Sequence, residues 1–164
     1  MDQAYENFPN EYKDHVNKDT FLKAITMCQK LRQDIKAKYG EHCVIYPEIA
    51  MTCDTFQEVA GSKRIYGIVD LLVVDEKGIP HLLDYKTSTK SFNDFHITKR
   101  IAYTYQLAIY ERILANYGVR TDEATSAIIP IQIKDMKYNT DENKWEYDTI
   151  SYNMISGSDK VQKE

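Results

Sequence analysis

Two carboxylates stand inside strongly apolar runs, Asp70 in GIVDLLVV and Asp84 in HLLDYK. An unpaired buried carboxylate costs several kcal/mol, so each needs a partner or a raised pKa. The turn sequence DEKG predicts a β-hairpin centred on Lys77, which pairs residues whose numbers sum to 154, as those of Asp70 and Asp84 do. The two acids are therefore predicted to face each other, and a divalent cation between them would remove their repulsion.

Lys86 follows Asp84 by two residues, so both side chains are predicted on one face of the returning strand. An ammonium beside a metal site can stabilise charge that builds up on a phosphate, or orient the attacking water. This arrangement is typical of a metal-dependent phosphodiesterase. From the residues alone, the alternative is a buried ion pair of Lys86 with Asp84 or Asp70 that has no catalytic role.

Three motifs, GIVDLLVV, LLDYKTS and QLAIY, closely resemble the PD-(D/E)XK nuclease superfamily over about residues 43–117, and within it the RecB-like branch that includes lambda exonuclease-type enzymes. The resemblance implies that Asp70 and Asp84 bind Mg²⁺ or Mn²⁺, with the backbone carbonyl of Tyr85 as a further ligand. It also implies that Lys86 is the catalytic lysine.

In the same resemblance, Gln106 and Tyr110 match the QxxxY signature that holds the DNA strand near the metal. Their spacing of four places both on one face of a helix. Glu48, on the first core strand, could complete the acidic cluster as a further metal ligand. A glutamate with its head group in solvent is the alternative at that position.

The family usually carries a His or Glu ligand on its first core helix, and this chain has no clear counterpart. The helix offers three polar candidates, and His15, which precedes it, is expected at the surface. The ligand is therefore either absent or outside this chain. The three candidates are Gln29, Gln33 and Asp34.

The 164 residues, 43% hydrophobic and 28% charged, predict one globular domain over residues 1–164. The resemblance implies that this domain is nuclease-like. No apolar run approaches the roughly 20 residues of a membrane span, and the N-terminal sequence lacks a signal-peptide pattern, so we expect a cytoplasmic protein of a bacterial or phage-infected cell. An odd number of cysteines without C-x-x-C spacing argues against a disulfide framework and an iron–sulfur cluster. We expect Cys28, Cys43 and Cys53 to be small buried hydrophobic residues.

Basic residues concentrate in the middle of a chain whose net charge is −4. Six basic and two acidic residues lie between Lys86 and Arg120. We expect Lys90, Lys99 and Arg100 to make sequence-independent phosphate contacts, with an ordinary solvated helix face as the alternative. Tyr103 or Tyr105 could stack on bases, although most of the tyrosines should fill the core and its rim.

The fold class predicted is α/β, a restriction-endonuclease-like αβββαβ core with a mixed sheet flanked by helices and an added C-terminal hairpin. The residues before the first helix read as an irregular arm, the strand at 65–75 should be buried on both faces, and a polar loop should precede it. The first predicted helix runs from Thr20 to Tyr39, capped by Asn17 or Asp19 and ended by Gly40, and a strand follows from Cys43 to Thr52 whose Pro47 indicates an edge or bulge. A hairpin turning at Thr140–Asn143 lies within 135–164. The other predicted elements are an arm at 1–17, a loop at 54–64, strands at 65–75 and 81–88, a helix at 99–118 and a strand at 125–133.

The function expected is that of a Mg²⁺- or Mn²⁺-dependent deoxyribonuclease, an exonuclease by analogy with the RecB-like branch, in DNA replication, recombination or repair. Its partners would be single-stranded DNA or duplex ends, and a larger replication or recombination complex; no membrane is expected. The alternative is a weakly active or inactive nuclease-fold module that binds nucleic-acid ends within a larger assembly.

Overall fold

The computed structural model of the protein describes residues 2–54, 64–119 and 127–156. Four α-helices lie in this part of the chain, with a 3₁₀ turn at Phe92–Asp94: α1 Asp2–Glu6, α2 Asn10–Lys13, α3 Lys18–Tyr39 and α4 Ile97–Asn116. Eight strands accompany them: β1 Val44–Cys53, β2 Ile65–Val74, β3 Pro80–Ser88, β4 Ala127–Lys134, β5 Lys137–Asn139, β6 Lys144–Glu146, β7 Thr149–Tyr152 and β8 Ile155–Ser156. Most of the loop predicted at 54–64 falls outside the described residues.

Helix α3 begins and ends at local signals that the sequence contains. The Asn17 side chain caps it by accepting the Thr20 N–H at 2.9 Å, and Gly40 ends it with a φ of 110°. A side chain at a positive φ is strained, which is why glycine suits this position. The predicted helix is confirmed, and it starts two residues earlier, at Lys18.

The N-terminal segment differs from the irregular arm that the sequence predicts, because residues 2–6 and 10–13 form short helices. The rings of Tyr5 and Phe8 contact that of Phe21 on α3, with centroids 5.3 and 4.5 Å apart. Helices this short are marginal in isolation and have too few residues to show a period. Packing against α3 therefore supplies a stability that no pattern could indicate.

One mixed sheet forms the centre of the fold, in the strand order β1-β2-β3-β4-β7, with β8 also pairing with β4. Only β3 and β4 pair in parallel among these strands, and α4 lies between them in the chain. A parallel pair requires such a crossover connection. The sheet has the predicted mixed αβββαβ arrangement, with β1 at an edge.

The β2–β3 hairpin has the predicted register. Leu71 pairs with Leu83 and Val74 with Pro80, so the residue numbers sum to 154. The Asp75 side chain builds the turn, since its Oδ1 accepts the N–H groups of Lys77 and Ile79 at 2.9 Å each. The polar residues of the DEKG turn thus fix the alignment of the two strands.

Each face of the sheet carries one helix and one buried core. Helix α3 covers one face with side chains four residues apart, Met27, Leu31 and Ile35. Helix α4 covers the other face with Leu107, Tyr110, Ile113 and Leu114. The α3 core further holds Leu71, Val73, Leu83, Ile129 and Ile131, and the α4 core Met51, Val69, Leu82, Phe92 and Ile128.

The odd-numbered side chains of β2 change face at Asp70. Val69 packs in the α4 core, whereas Leu71 and Val73 pack in the α3 core. On β1, Glu48 has a φ of 50° at the position opposite Asp70, and regular pairing skips it. Before this point Gly67 faces Tyr110 of α4, and the side chains on the other face of β2, Tyr66 and Ile68, are 62% and 46% exposed. The prediction that β2 is buried on both faces is therefore wrong for its first half.

The C-terminal hairpin turns at residues 140–143 as predicted, between β5 and β6. It is tied to the start of α3, where the Trp145 N–H donates to the carbonyl of His15 at 2.8 Å. Cys43 and Cys53 are buried as expected, but Cys28 lies exposed on α3, so that part of the cysteine prediction is wrong. Among the described helices, none is both long and apolar enough to span a bilayer.

Candidate active site

Asp84 lies on β3, on the face that α4 covers, and is 3% exposed. The Lys86 ammonium forms an ion pair with its Oδ2, and the Gln106 amide donates to its Oδ1 at 3.4 Å. Burial raises the pKa of the Asp84 carboxyl, and the nearby Asp70 charge raises it further, while Lys86 lowers it. The structure thus places Lys86 on the same face as Asp84, where it partly offsets the cost of a buried charge.

Asp70 lies where β2 and β3 separate. Their pairing ends at Leu71 and Leu83, one step short of Asp70 and Asp84, because β3 continues alongside β4. Oδ2 of Asp70 accepts the Tyr85 N–H at 2.6 Å. The two acids therefore flank the opening of the hairpin rather than forming a regular cross-strand pair, and they are close enough for Asp70 to raise the pKa of Asp84. The Tyr85 ring packs on the opposite face, against the α3 core.

Gln106 and Tyr110 occupy one face of α4, as their spacing requires. The Gln106 amide donates to the Tyr110 hydroxyl at 2.8 Å as well as to Asp84. Tyr110 is buried against β2, where a Cβ at Gly67 would overlap its Cε1 atom. Glycine at position 67 is thus needed for the close approach of helix and strand that brings Gln106 to Asp84.

Tyr103 lies under Lys86, a contact that sequence reasoning missed. The Lys86 Nζ is 4.9 Å from the centroid of the Tyr103 ring, and the Phe95 ring meets Tyr103 edge-on at 6.3 Å. A cation over an aromatic face is attracted by the ring quadrupole. Tyr103 is three residues before Gln106, and this i, i+3 spacing is the signal that could have placed it beside the site.

The basic residues predicted to contact phosphates divide into two sets. Lys90 and Lys99 line a cavity next to the end of β3, together with Ser88. Arg100 instead lies over the Phe92 ring, with its guanidinium carbon 5.5 Å from the centroid. Of the tyrosines predicted as stacking candidates, Tyr105 is exposed.

Glu48 is not brought to the two aspartates. It is exposed, and across residues 2–54, 64–119 and 127–156 no three His, Cys, Asp or Glu side chains form a group that could hold a metal ion. The candidates near the first long helix also lie elsewhere: Asp34 accepts the Tyr152 hydroxyl at 2.5 Å, and His15, Gln29 and Gln33 are exposed. Asp70 and Asp84 are thus the acids that the described structure places together.

The oxygen atoms at the hairpin opening suit a hard divalent cation. Mg²⁺ is commonly held by one or two carboxylates, with waters and substrate phosphates completing its coordination. Asp70 and Asp84 supply two carboxylates. Burial is the main cause of the raised pKa of Asp84, the Asp70 charge adds to it, and a cation between the two acids would relieve their repulsion. The residues present therefore fit such an ion without a third acid.

Comparison with known proteins gives two findings. No curated protein matches the chain. The family model of the PD-(D/E)XK nuclease superfamily matches residues 1–159, nearly the whole sequence. That match agrees with the mixed sheet and its flanking helices. The chain belongs to the PD-(D/E)XK nuclease superfamily, whose members are nucleases acting on nucleic acids.

Proposed function

We propose that the protein is a Mg²⁺- or Mn²⁺-dependent deoxyribonuclease, with Asp70, Asp84 and the Tyr85 carbonyl as metal ligands. The observation that carries this proposal is the buried Asp84 beside Asp70, with the Lys86 ammonium on the same face. A structural ion pair would need one acid for one lysine. A second acid next to a buried one adds repulsion, and the single Tyr85 N–H that Asp70 accepts leaves its other oxygen for a cation.

Each residue of the site has a distinct part in the proposed reaction. Because Oδ2 of Asp70 accepts the Tyr85 N–H, Oδ1 would be the oxygen atom of Asp70 that binds the metal ion. A divalent cation bound there would polarise a phosphoryl oxygen and lower the pKa of its water. Lys86 would stabilise the negative charge that develops on the phosphate.

Gln106 and Tyr110 position the strand in this proposal. Gln106 joins Asp84 to Tyr110 through its amide nitrogen, so the metal ligand and the strand-binding helix are linked directly. Lys90, Lys99 and Arg100 would contact phosphates without reading the base sequence. Exonuclease action on DNA ends, in replication, recombination or repair, is the finer proposal; it rests on the resemblance of the three motifs to RecB-like enzymes.

The test is thermal unfolding with and without Mn²⁺. A ligand present at 100 times its Kd stabilises by about 2.7 kcal/mol, which corresponds to a rise in Tm of about 5 to 10 °C for a domain of this size. We expect this rise in the wild-type protein and in Asp141→Asn, a control in the exposed turn before β6. We expect none in Asp84→Asn. Equal Tm values with and without Mn²⁺ in the wild type would contradict the proposed metal site.

A second candidate function is a weakly active module that binds nucleic-acid ends. It is favoured by the absence, among the described residues, of a third acid grouped with Asp70 and Asp84, since Glu48 is exposed and joins no such group. End-labelled single- and double-stranded DNA separates the two candidates. If the labelled DNA is shortened in Mn²⁺ and Lys86→Ala abolishes this shortening, the protein is an enzyme. If the DNA is bound but not shortened, the protein is a binding module.

A further inference from the structure

A cavity of about 560 Å³ lies next to the active site, between the end of β3 and the start of α4. Its volume falls within the range of ligand sites, about 300 to 1,000 Å³. Two lysines, Lys90 and Lys99, line it, and Asp94 leaves it with a net charge of +1. Ser88 and His96 add polar side chains to the same wall. The composition suits a small anion that accepts several hydrogen bonds.

The hydrogen bonds around the cavity leave donors for such an anion. Ser88 Oγ accepts the Lys90 N–H at 3.0 Å, so its own hydroxyl proton remains to be donated. His96 Nδ1 is engaged by Thr98, at 2.8 Å from its hydroxyl oxygen and 3.4 Å from its backbone nitrogen, so Nε2 is the ring nitrogen left for a ligand. Together with the two ammonium groups, these side chains match the acceptor oxygens of a phosphate.

The cavity continues a row of contacts that runs through the active site. Along β3, Asp84 contacts Gln106, Lys86 contacts Tyr103, and Ser88 shares the cavity with Lys99. Ser88 is two residues beyond Lys86, about 6.6 Å along the strand. Lys99 is four residues before Tyr103, one turn of α4. The cavity is thus the next position after Lys86 along both elements.

We propose that this cavity binds the phosphate one nucleotide away from the phosphate that Lys86 contacts. The inference rests on the proposed function and deepens it, because it divides the basic residues by role. Lys90 and Lys99 hold one defined phosphate, while Arg100, which lies over Phe92, does not. Phe95 lines the cavity and contacts Tyr103, so the path between the two phosphates crosses an aromatic surface.

The experiment measures binding of thymidine 3′,5′-bisphosphate and thymidine 5′-monophosphate in Mg²⁺ by NMR titration. Neither compound contains a phosphodiester bond that a nuclease could hydrolyse, and the bisphosphate carries two phosphates one nucleoside apart. We expect the bisphosphate to bind wild-type protein at least about tenfold more tightly than the monophosphate. We expect the double variant Lys90→Ala/Lys99→Ala to lose that advantage.

Two controls separate this inference from the proposed function. Lys77→Ala removes one lysine charge from the hairpin turn at the far end of β3, and it should keep the tenfold advantage. Asp84→Asn tests the metal site: if it has no effect while the double lysine variant does, the metal proposal fails and the cavity stands. If the affinities of both nucleotides are the same in the double lysine variant and the wild type, the phosphate cavity is wrong, whatever Asp84→Asn does.

Discussion

Asp84 is an ionisable residue that is deeply buried, and its burial makes the free energy of folding less favourable. Burial raises its pKa, and Lys86 only partly counteracts this effect. Active sites commonly contain such destabilising groups, because the same environment that disfavours the charge makes it available to a ligand. The stability of the metal-free protein should therefore depend on the protonation of this one residue.

Substituting Asp84 by Asn tests that dependence. A pKa raised by folding contributes stability that is fully present below the ordinary value of 3.8 and is lost as the pH rises through the folded-state pKa. Asparagine cannot ionise, so Asp84→Asn escapes this loss. In urea unfolding with EDTA, we expect the free energy of unfolding of the wild type to fall relative to that of the variant as the pH rises from 3.8 towards neutral. Parallel pH profiles for the two proteins would contradict the assignment, and Asp141→Asn should show such parallel behaviour.

Tyr103 is expected to act through its ring. The Lys86 ammonium lies over that ring, so Tyr103→Leu should release the lysine and lower kcat of DNA cleavage about tenfold, as expected for a desolvated cation–π contact worth about 1 to 2 kcal/mol. Tyr103→Phe keeps the aromatic face and should retain most of the activity. Steady-state kinetics on end-labelled DNA distinguish the two. An equal loss in both variants would show that the hydroxyl matters and not the ring.

At the scale of elements, the packing of α4 against β2 determines the positions of Gln106 and Tyr110. Gly67 permits Tyr110 to lie directly on the β2 backbone, and Tyr110 in turn holds Gln106. Glycine at position 67 of β2 thus determines where the face of α4 that carries Gln106 and Tyr110 lies.

Gly67→Ala should disturb this contact. The added methyl would overlap the Tyr110 ring, and overpacking of this kind costs about 1 to 3 kcal/mol. Urea unfolding should show the loss, together with weaker DNA binding. In a Tyr110→Ala background the same glycine substitution should cost almost nothing, because the clash is gone. A full penalty in both backgrounds would place its origin in the strand backbone instead.

The hairpin that carries the two aspartates could be predicted from sequence because its information is local. The turn residues from Asp75 to Gly78 determine the alignment of β2 and β3, and alternation then assigns Asp84 and Lys86 to one face. The side-chain change of face at Asp70 could not be predicted, since it depends on the left-handed conformation of Glu48 on the neighbouring strand. The exposure of Tyr66 follows from that change of face and was missed for the same reason.

Considered as a whole, the molecule is acidic, with a net charge of −4, yet Lys90, Lys99 and Arg100 lie close together around the start of α4. Nucleic acid would therefore be attracted locally and repelled elsewhere. Binding should depend strongly on ionic strength, because each neutralised phosphate releases counterions.

The salt dependence of single-stranded DNA binding gives a quantitative test. Three contacts, from Lys90, Lys99 and Arg100, predict a slope of about −2 for log K against log[NaCl]. Fluorescence anisotropy in EDTA should then show affinity falling by about ten- to twentyfold between 50 and 200 mM NaCl. The slope should become shallower by about one unit in Lys90→Ala/Lys99→Ala. Affinity that does not change with salt would rule out a phosphate-based interface.

The Asp75–Gly78 turn has a consequence for how this chain can diverge. Its side chains are mostly exposed, so their identities can drift wherever the Asp75 hydrogen bonds are kept. The length of the turn cannot change in the same way. Inserting one residue would shift the register of β3 by one residue and turn the side chains of Asp84 and Lys86 toward α3, where Tyr85 now packs. Homologous genes should therefore keep the number of codons at this turn, together with Asp75 and Gly78, whose φ is 78°, and should vary at the exposed positions between them. This constraint holds although the turn lies at the far end of the hairpin from the proposed site.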